Sequence, residues 1–364
     1  MRKNLKTMLA CLPLVLGACK DEKEGDVDNP PPKSFRILVS GEEVVEEGIP
    51  FSHGGEAVYF EDGWQLSFES VLVTLAHVQL SENPDMSSGD KSMTGPVVAE
   101  LEGTFAIELK SEGGFGLHGH EHALGVLSKQ NKKKNAPAFD AQTRYAFGYS
   151  LVRATPEATQ LGFGEASRAD YARMQEKGWS VFVRGKAEHS RDNCRSSDAG
   201  YDFGRLPKAF RFELGFDMPV AYKNCANPAL GHARGIQIKN NASVDVVATL
   251  HLDHLFWEAL EEDAKLRLDA WAARKSVAPG AEADMTPVTN ADLAKVHYVA
   301  VEDAQSNAVP FRYCEGAQEK AGSQLRYEDA GKGGGLQNLN DFIQYNLSTF
   351  GHMNGNGLCE PSRT

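Results

Sequence analysis

Runs in which apolar and polar residues alternate fill the first two thirds of the chain, and turn residues break them. A period of two places successive side chains on opposite faces, so each run can bury one face of a strand. "SFRILVSGEEV" alternates in this way. "AVYFEDGWQLSF" sets Asp62-Gly63 between two apolar-aromatic runs, a pattern that predicts a hairpin. "VLVTLAHVQL", "TFAIELK", "TRYAFGYSLVRA", "SVFVRGKAEH" and "AFRFELGFDMPVAY" follow as further strands. "RGIQIKNNASVDVVATLHLDHLF" reads as two strands around a turn at Asn240-Asn241. So many short strands predict a mainly β fold, an antiparallel β-sandwich or barrel with a few helices. One helix is expected from an N-cap at Ser167 to a stop at Gly178. A second is expected over "WEALEEDAKLRLDAWAARK", where acidic residues come early and Arg274 and Lys275 late, an order that suits the helix dipole. A third is expected over "GLQNLNDFIQYNLSTFG". Residues 35–256 thus read as a β-sandwich domain, and residues 257–364 as a C-terminal helical and irregular elaboration packed on it.

The N-terminus is of another kind. Residues 1–18 carry Arg2, Lys3 and Lys6, then an apolar run too short to span a bilayer, then Leu16-Gly17-Ala18 before Cys19. This resembles a bacterial lipoprotein signal peptide with its lipobox, although Gly-Ala stands where Ala-Gly is usual. The resemblance implies cleavage before Cys19 and acylation of its thiol, a palmitate-type anchor. Lys20 after the cysteine implies the outer membrane, facing the periplasm or the cell surface. Residues 19–34 are charged and then proline-rich, and read as a disordered tether. No later segment has the apolar length of a membrane helix. Removing the three basic signal residues takes the formal net charge from −12 to −15. That excludes a basic nucleic-acid footprint and favours the attraction of cations.

Four cysteines remain beside Cys19 in the mature chain: Cys194, Cys225, Cys314 and Cys359. An even number in an exported chain predicts two disulfides, and three pairings are possible. Cys194–Cys225 and Cys314–Cys359 are favoured, because each pair lies close in sequence and brackets one loop-rich region. The close Cys-x-x-Cys spacing of a zinc knuckle is absent, which argues against a thiolate metal site.

The chemistry lies with the histidines. Three of eleven fall within five residues, at His118, His120 and His122. On a strand they would share one face, and the surrounding glycines would let it bend around an ion. "ATLHLDHLFWE" supplies His251, Asp253 and His254. As a strand it would set His251 and Asp253 on one face, with His254 joining only where the strand ends or bulges. Two imidazoles and a carboxylate suit a transition metal, or Asp253 fixes an imidazole tautomer from behind. His53 in a glycine turn is a further candidate ligand. His189 and the pair His352-Met353 read as structural when taken alone, though a thioether beside an imidazole suits copper. The signatures H-E-x-x-H, G-x-S-x-G, the phosphate loop and Cys-x-x-Cys-His are all absent.

The lipobox, "EDGWQLSFESVLVTLAHVQL", "HLDHLFWE" and "GHMNGNGLC" together resemble an uncharacterised group of bacterial lipoproteins. The second of these segments is also similar to the strand region of periplasmic copper-binding MbnP-like proteins, which implies copper without carrying over any ligand position. The reading of the sequence is therefore an envelope lipoprotein that binds copper or zinc through clustered histidines. It would hold the ladder and the 251–254 set on one ion, and hand that ion to, or take it from, an outer-membrane transporter or another envelope protein. Binding is expected to weaken sharply below about pH 6, as ordinary imidazoles protonate. The alternatives are a metal-free protein-interaction lipoprotein, and a metal-dependent hydrolase with Glu258 as general base.

Overall fold

The longest strand explains the shape of the larger sheet. Trp64, Leu66 and Phe68 are buried while Gln65, Ser67 and Glu69 are not, and then residues 70–76 are buried without a break. Alternation marks a strand covered on one face, and a continuous buried run marks one covered on both. In the computed structural model, which describes residues 26–51, 58–116, 119–190, 193–261, 264–278, 285–314, 317, 322–332 and 334–363, that strand is β2 (Trp64–Ser81). Its second cover is helix α2 (Glu165–Lys177), whose Tyr171 and Met174 pack on Leu72, Ala106 and Phe182.

The other strands are β1 (Phe35–Ser40), β3 (Val97–Glu108), β4 (His122–Leu127), β5 (Ala146–Leu151), β6 (Thr159–Leu161) and β7 (Val181–His189). They continue as β8 (Ala209–Phe216), β9 (Val220–Lys223), β10 (Val244–Leu250), β11 (Gly351–Met353), β12 (Gly357–Leu358) and β13 (Glu360–Arg363). The larger sheet runs Val288–Thr289, β8, β7, β2, β5, β9, β13, with β3 pairing β2 and β6. The smaller runs β12, β11, β10, β1, β4. One hydrophobic core joins Ile37 and Val39 of β1 and Val246 and Leu250 of β10 to Val73 and Leu75 of β2. The fold is thus mainly β and sandwich-like, with few helices and no closed barrel. Pairing is mostly antiparallel, and β1 with β10 is the longest parallel exception. Strands from the last third of the chain enter both sheets. Before β1, Lys33 N–H donates to the Asn241 carbonyl and Arg36 reaches the Val27 carbonyl. Residues 1–25, with Cys19, and residues 52–57, with His53, lie outside the described residues. Among the described residues no helix is long and apolar enough to cross a membrane.

Several local expectations are corrected. Asp62-Gly63 makes a turn but no hairpin, because Phe60 bridges Leu266 instead of returning along β2. Gly164 caps α2, and Ser167 lies inside it, donating to the Glu108 carboxylate. Gly178 does stop α2, in the left-handed conformation. Among the described residues of 257–275 only Asp269–Ala272 is α-helical. Buried ionic partners override the helical pattern there. Arg267 pairs with Glu258, and Arg312 with Asp269. Asp62 takes the N–H groups of Leu268 and Asp269 on one oxygen, both at 2.8 Å. The third expected helix is present as α3 (Leu339–Leu347), capped by Asn338. All four cysteines are bridged, but as Cys194–Cys314 and Cys225–Cys359. Sequence proximity misleads here because the last third of the chain folds back over both earlier cysteines.

Asp62 is fully buried. Desolvation, and then the neighbouring Asp269 charge, push its carboxyl up to about 7 against the pull of Arg267 and Arg312. The folded chain keeps a proton that the unfolded chain releases near the ordinary aspartate value of 3.8. This contribution to stability is therefore full below that value and declines as pH rises towards 7. Asp62→Asn should remove the decline. In urea titrations the variant's unfolding free energy, relative to wild type, should improve steadily from pH 4 to pH 7 and stay level above.

Candidate metal centre

Three chain segments end side by side at one end of the smaller sheet. β1 and β10 are parallel, with Ser40 opposite Thr249, and β11 runs antiparallel with His352 opposite Thr249. Two residues beyond that rung lie Glu42 on one chain and His251 on the next. Thr249 and His251 share a face by the period of two, so His352 is the diagonal cross-strand neighbour of His251.

β10 stops at Leu250, and residues Leu252–Phe256 form a 3-10 turn with His251 as its N-cap. Side chains at i and i+3 eclipse in such a turn, which brings His254 round beside His251. The two rings lie 6.1 Å apart by their centroids. His251 stacks on His352 at 4.0 Å, and His254 meets His352 edge-on at 5.7 Å. One ligand atom from each of His251, His254 and His352 lies within 4.8 Å of the others, so this set could hold a metal ion. Tetrahedral bonds of about 2.0–2.1 Å put ligand atoms roughly 3.3 Å apart.

The hydrogen bonds define one tautomer. The Thr349 hydroxyl donates to the Asn346 carbonyl, so its oxygen accepts from His254 Nδ1–H at 2.9 Å. The lone pair of His254 is thereby left on Nε2. Trp257 stacks on the same ring at 3.6 Å, and its indole N–H donates to Asp253 at 3.1 Å. His352 Nδ1 is buried with no hydrogen-bond partner among the described residues. An orphaned buried polar atom costs about 1–3 kcal/mol, which a bound ion would relieve. His251 Nε2 lies 3.3 Å from both the Gly355 carbonyl and the Glu42 carboxylate. Gly355 reaches that position because Asn354 and Gly355 both take left-handed conformations in the turn between β11 and β12.

Burial holds two of the rings neutral. His254 is 3% exposed and His352 7%. Desolvation drives His254 well below its ordinary range, and repulsion from His352 and His251 adds to this. Burial first and His251 second bring His352 down to about 3, against the opposing pull of the Thr349 backbone.

The other sequence candidates go elsewhere. His118 lies outside the described residues. The expected ladder is not a strand there: Gly114, Gly116 and Gly119 all have positive φ, and β4 begins only at His122. His122 turns to the Ser111 carbonyl, 3.0 Å away, and His120 to Glu46, 3.5 Å away. Neither joins the three histidines. Asp253 does not join them either, because its carboxylate faces the Trp257 indole. Glu258 is buried in its ion pair with Arg267, away from the role of general base. His189 lies near Cys194 and Cys314, but their sulfurs are bonded to each other and offer no thiolate. Met353 is buried in the hydrophobic core, on the opposite face to His352. His352 is the candidate ligand that sequence reasoning undervalued, and Glu42 the neighbour it missed. The one available signal was a histidine inside "GHMNGNG", a turn able to fold over a strand end. No known protein family, curated protein or solved structure matches the chain.

A histidine depressed by folding takes up a proton more readily in the unfolded chain. Its stabilising contribution is therefore full above about pH 6.5 and is lost as pH falls towards the folded value. His352→Gln cannot take that proton. Its unfolding free energy relative to wild type, measured without metal, should improve progressively from pH 6.5 down to pH 4.

Proposed function

We propose that this chain is an envelope lipoprotein whose mature domain binds one transition-metal ion, copper or zinc, through His251, His254 and His352. One observation carries the reading: three imidazoles from two distant segments converge, two of them buried and held neutral, with a buried nitrogen left unpaired. Neutral imidazole is the form that ligates these metals. The chain's acidic balance favours cation approach. The lipobox at Cys19 supports a membrane anchor, and an anchored metal-binding domain suits handover to an outer-membrane transporter or another envelope partner.

Calorimetry on untagged, metal-stripped protein should give one copper or zinc ion per chain. The double change His251→Ala/His254→Ala should weaken binding by at least about 100-fold. His120→Ala or His122→Ala should leave affinity within about threefold, since neither ring reaches the set. The pH dependence should be shallower than three ordinary imidazoles would give. With His254 and His352 already neutral, the logarithm of affinity should fall by no more than about one per pH unit between pH 6.5 and 5. Weak, multi-ion binding that survives the double change would remove the reading.

The anchor is tested separately. Cys19→Ser should move the protein from the membrane to the soluble fraction, or leave it unprocessed. Identical partitioning of wild type and variant would exclude lipidation.

A further inference from the structure

The three imidazoles leave one position of a tetrahedral ion open, and the Glu42 carboxylate contacts one of the three, His251. We propose that Glu42 is the fourth ligand, that it engages divalent zinc or cupric ions, and that a cuprous ion uses the imidazoles alone. The inference rests on the three-histidine reading above.

Register brings Glu42 there. It lies two residues past Ser40, as His251 lies two past Thr249, and Ser40 and Thr249 are parallel partners. Its Oε2 is 3.3 Å from His251 Nε2. Its backbone is unusual for a residue with a side chain. Glu42 has φ +56°, in the left-handed region, and its N–H is held by the Ser40 hydroxyl at 3.0 Å. Such strain persists where the surroundings over-determine it, and it clusters at functional sites. Glu42 is the first residue of helix α1 (Glu42–Glu46), and its carboxylate meets His251.

Chemistry then sets the preference. A carboxylate is a hard, charged donor that favours Zn2+ and Cu2+, and soft sulfur donors favour Cu+. The soft donors nearby are withdrawn: Met353 is in the core and Cys359 is in a disulfide. Glu42 also differs from its acidic neighbours. It lines a recess of about 380 Å³ with Glu43, Glu46, Glu47, His120 and Glu121, and it also touches a ring of the histidine set. Glu46 instead faces His120 in that recess. Its charge resembles that of Glu42 without the contact to His251.

The test compares Glu42→Gln with Glu46→Gln in the full chain. Zn2+ is titrated against a competing chelator, and Cu+ is titrated without oxygen and with a non-thiol reductant. Glu42→Gln should weaken Zn2+ binding by about tenfold or more while changing Cu+ binding by less than about threefold. Glu46→Gln should change Zn2+ binding by less than about threefold. Equal losses in the two variants would mean that only the acidic field acts, and would overturn the assignment. So would an unchanged Zn2+ affinity in Glu42→Gln, or an equal loss for both ions. Failure of the wild type to bind either ion would instead overturn the three-histidine reading itself.

Discussion

The candidate centre depends on β10 being paired on both sides by strands from opposite ends of the chain. β1 meets it in parallel and β11 antiparallel, and both pairings reach Thr249. Just beyond that rung the three backbones leave the ladder. Their polar groups must still be satisfied, and they are: His251 N–H donates to the Phe350 carbonyl, and Gly355 N–H to the Thr249 hydroxyl. A sheet end of this kind can gather side chains from segments about a hundred residues apart without filling the gap with apolar core. The Cys225–Cys359 disulfide fastens the chain just after β12, and so holds the returning segment that carries His352.

The protein buries polar groups in two places and resolves them in opposite ways. Around Asp62 lie three carboxylates, of Asp62, Glu258 and Asp269, and two guanidiniums, of Arg267 and Arg312. Each guanidinium has its carboxylate, and the raised affinity of Asp62 for a proton removes the surplus negative charge. Buried charge is tolerated when it is paired in this way. The histidine trio has no such internal closure. His254 and His352 meet burial by staying neutral, and each would repel a charge on its neighbours. Neutral imidazoles facing one another offer lone pairs that a cation can use.

Many of the strand positions were legible in the sequence, because alternation reports one covered face and does not need the partner to be known. Trp64 to Phe68 is the clear case, and the unbroken run after it signals a second cover. The errors share a cause. The segment around residues 257–275 carries helix-like spacing, yet Arg267 and Asp269 satisfy buried partners contributed by residues 258 and 312. The turn at Asp62-Gly63 suits a hairpin, yet Phe60 finds a strand-like partner at Leu266. Both disulfides span more than a hundred residues, and proximity cannot indicate them. In each case a long-range partner outweighs a local preference, and local preference is all that a single sequence displays.

The candidate site shows the same limit from the side of function. Local density drew attention to His118, His120 and His122, but positive-φ glycines break the strand that would have aligned them. His251 and His254 were legible as a pair, although the geometry that unites them is a 3-10 turn and not the pleat of a strand. His352 sits alone in its segment, and only the register of β11 against β10 places it on the same face. What distinguishes the three is therefore not how many histidines lie close in sequence. It is that the fold fixes these rings, through Thr349 and Trp257 at His254 and through stacking between His251 and His352, and leaves the His352 Nδ1 buried without a partner among the described residues.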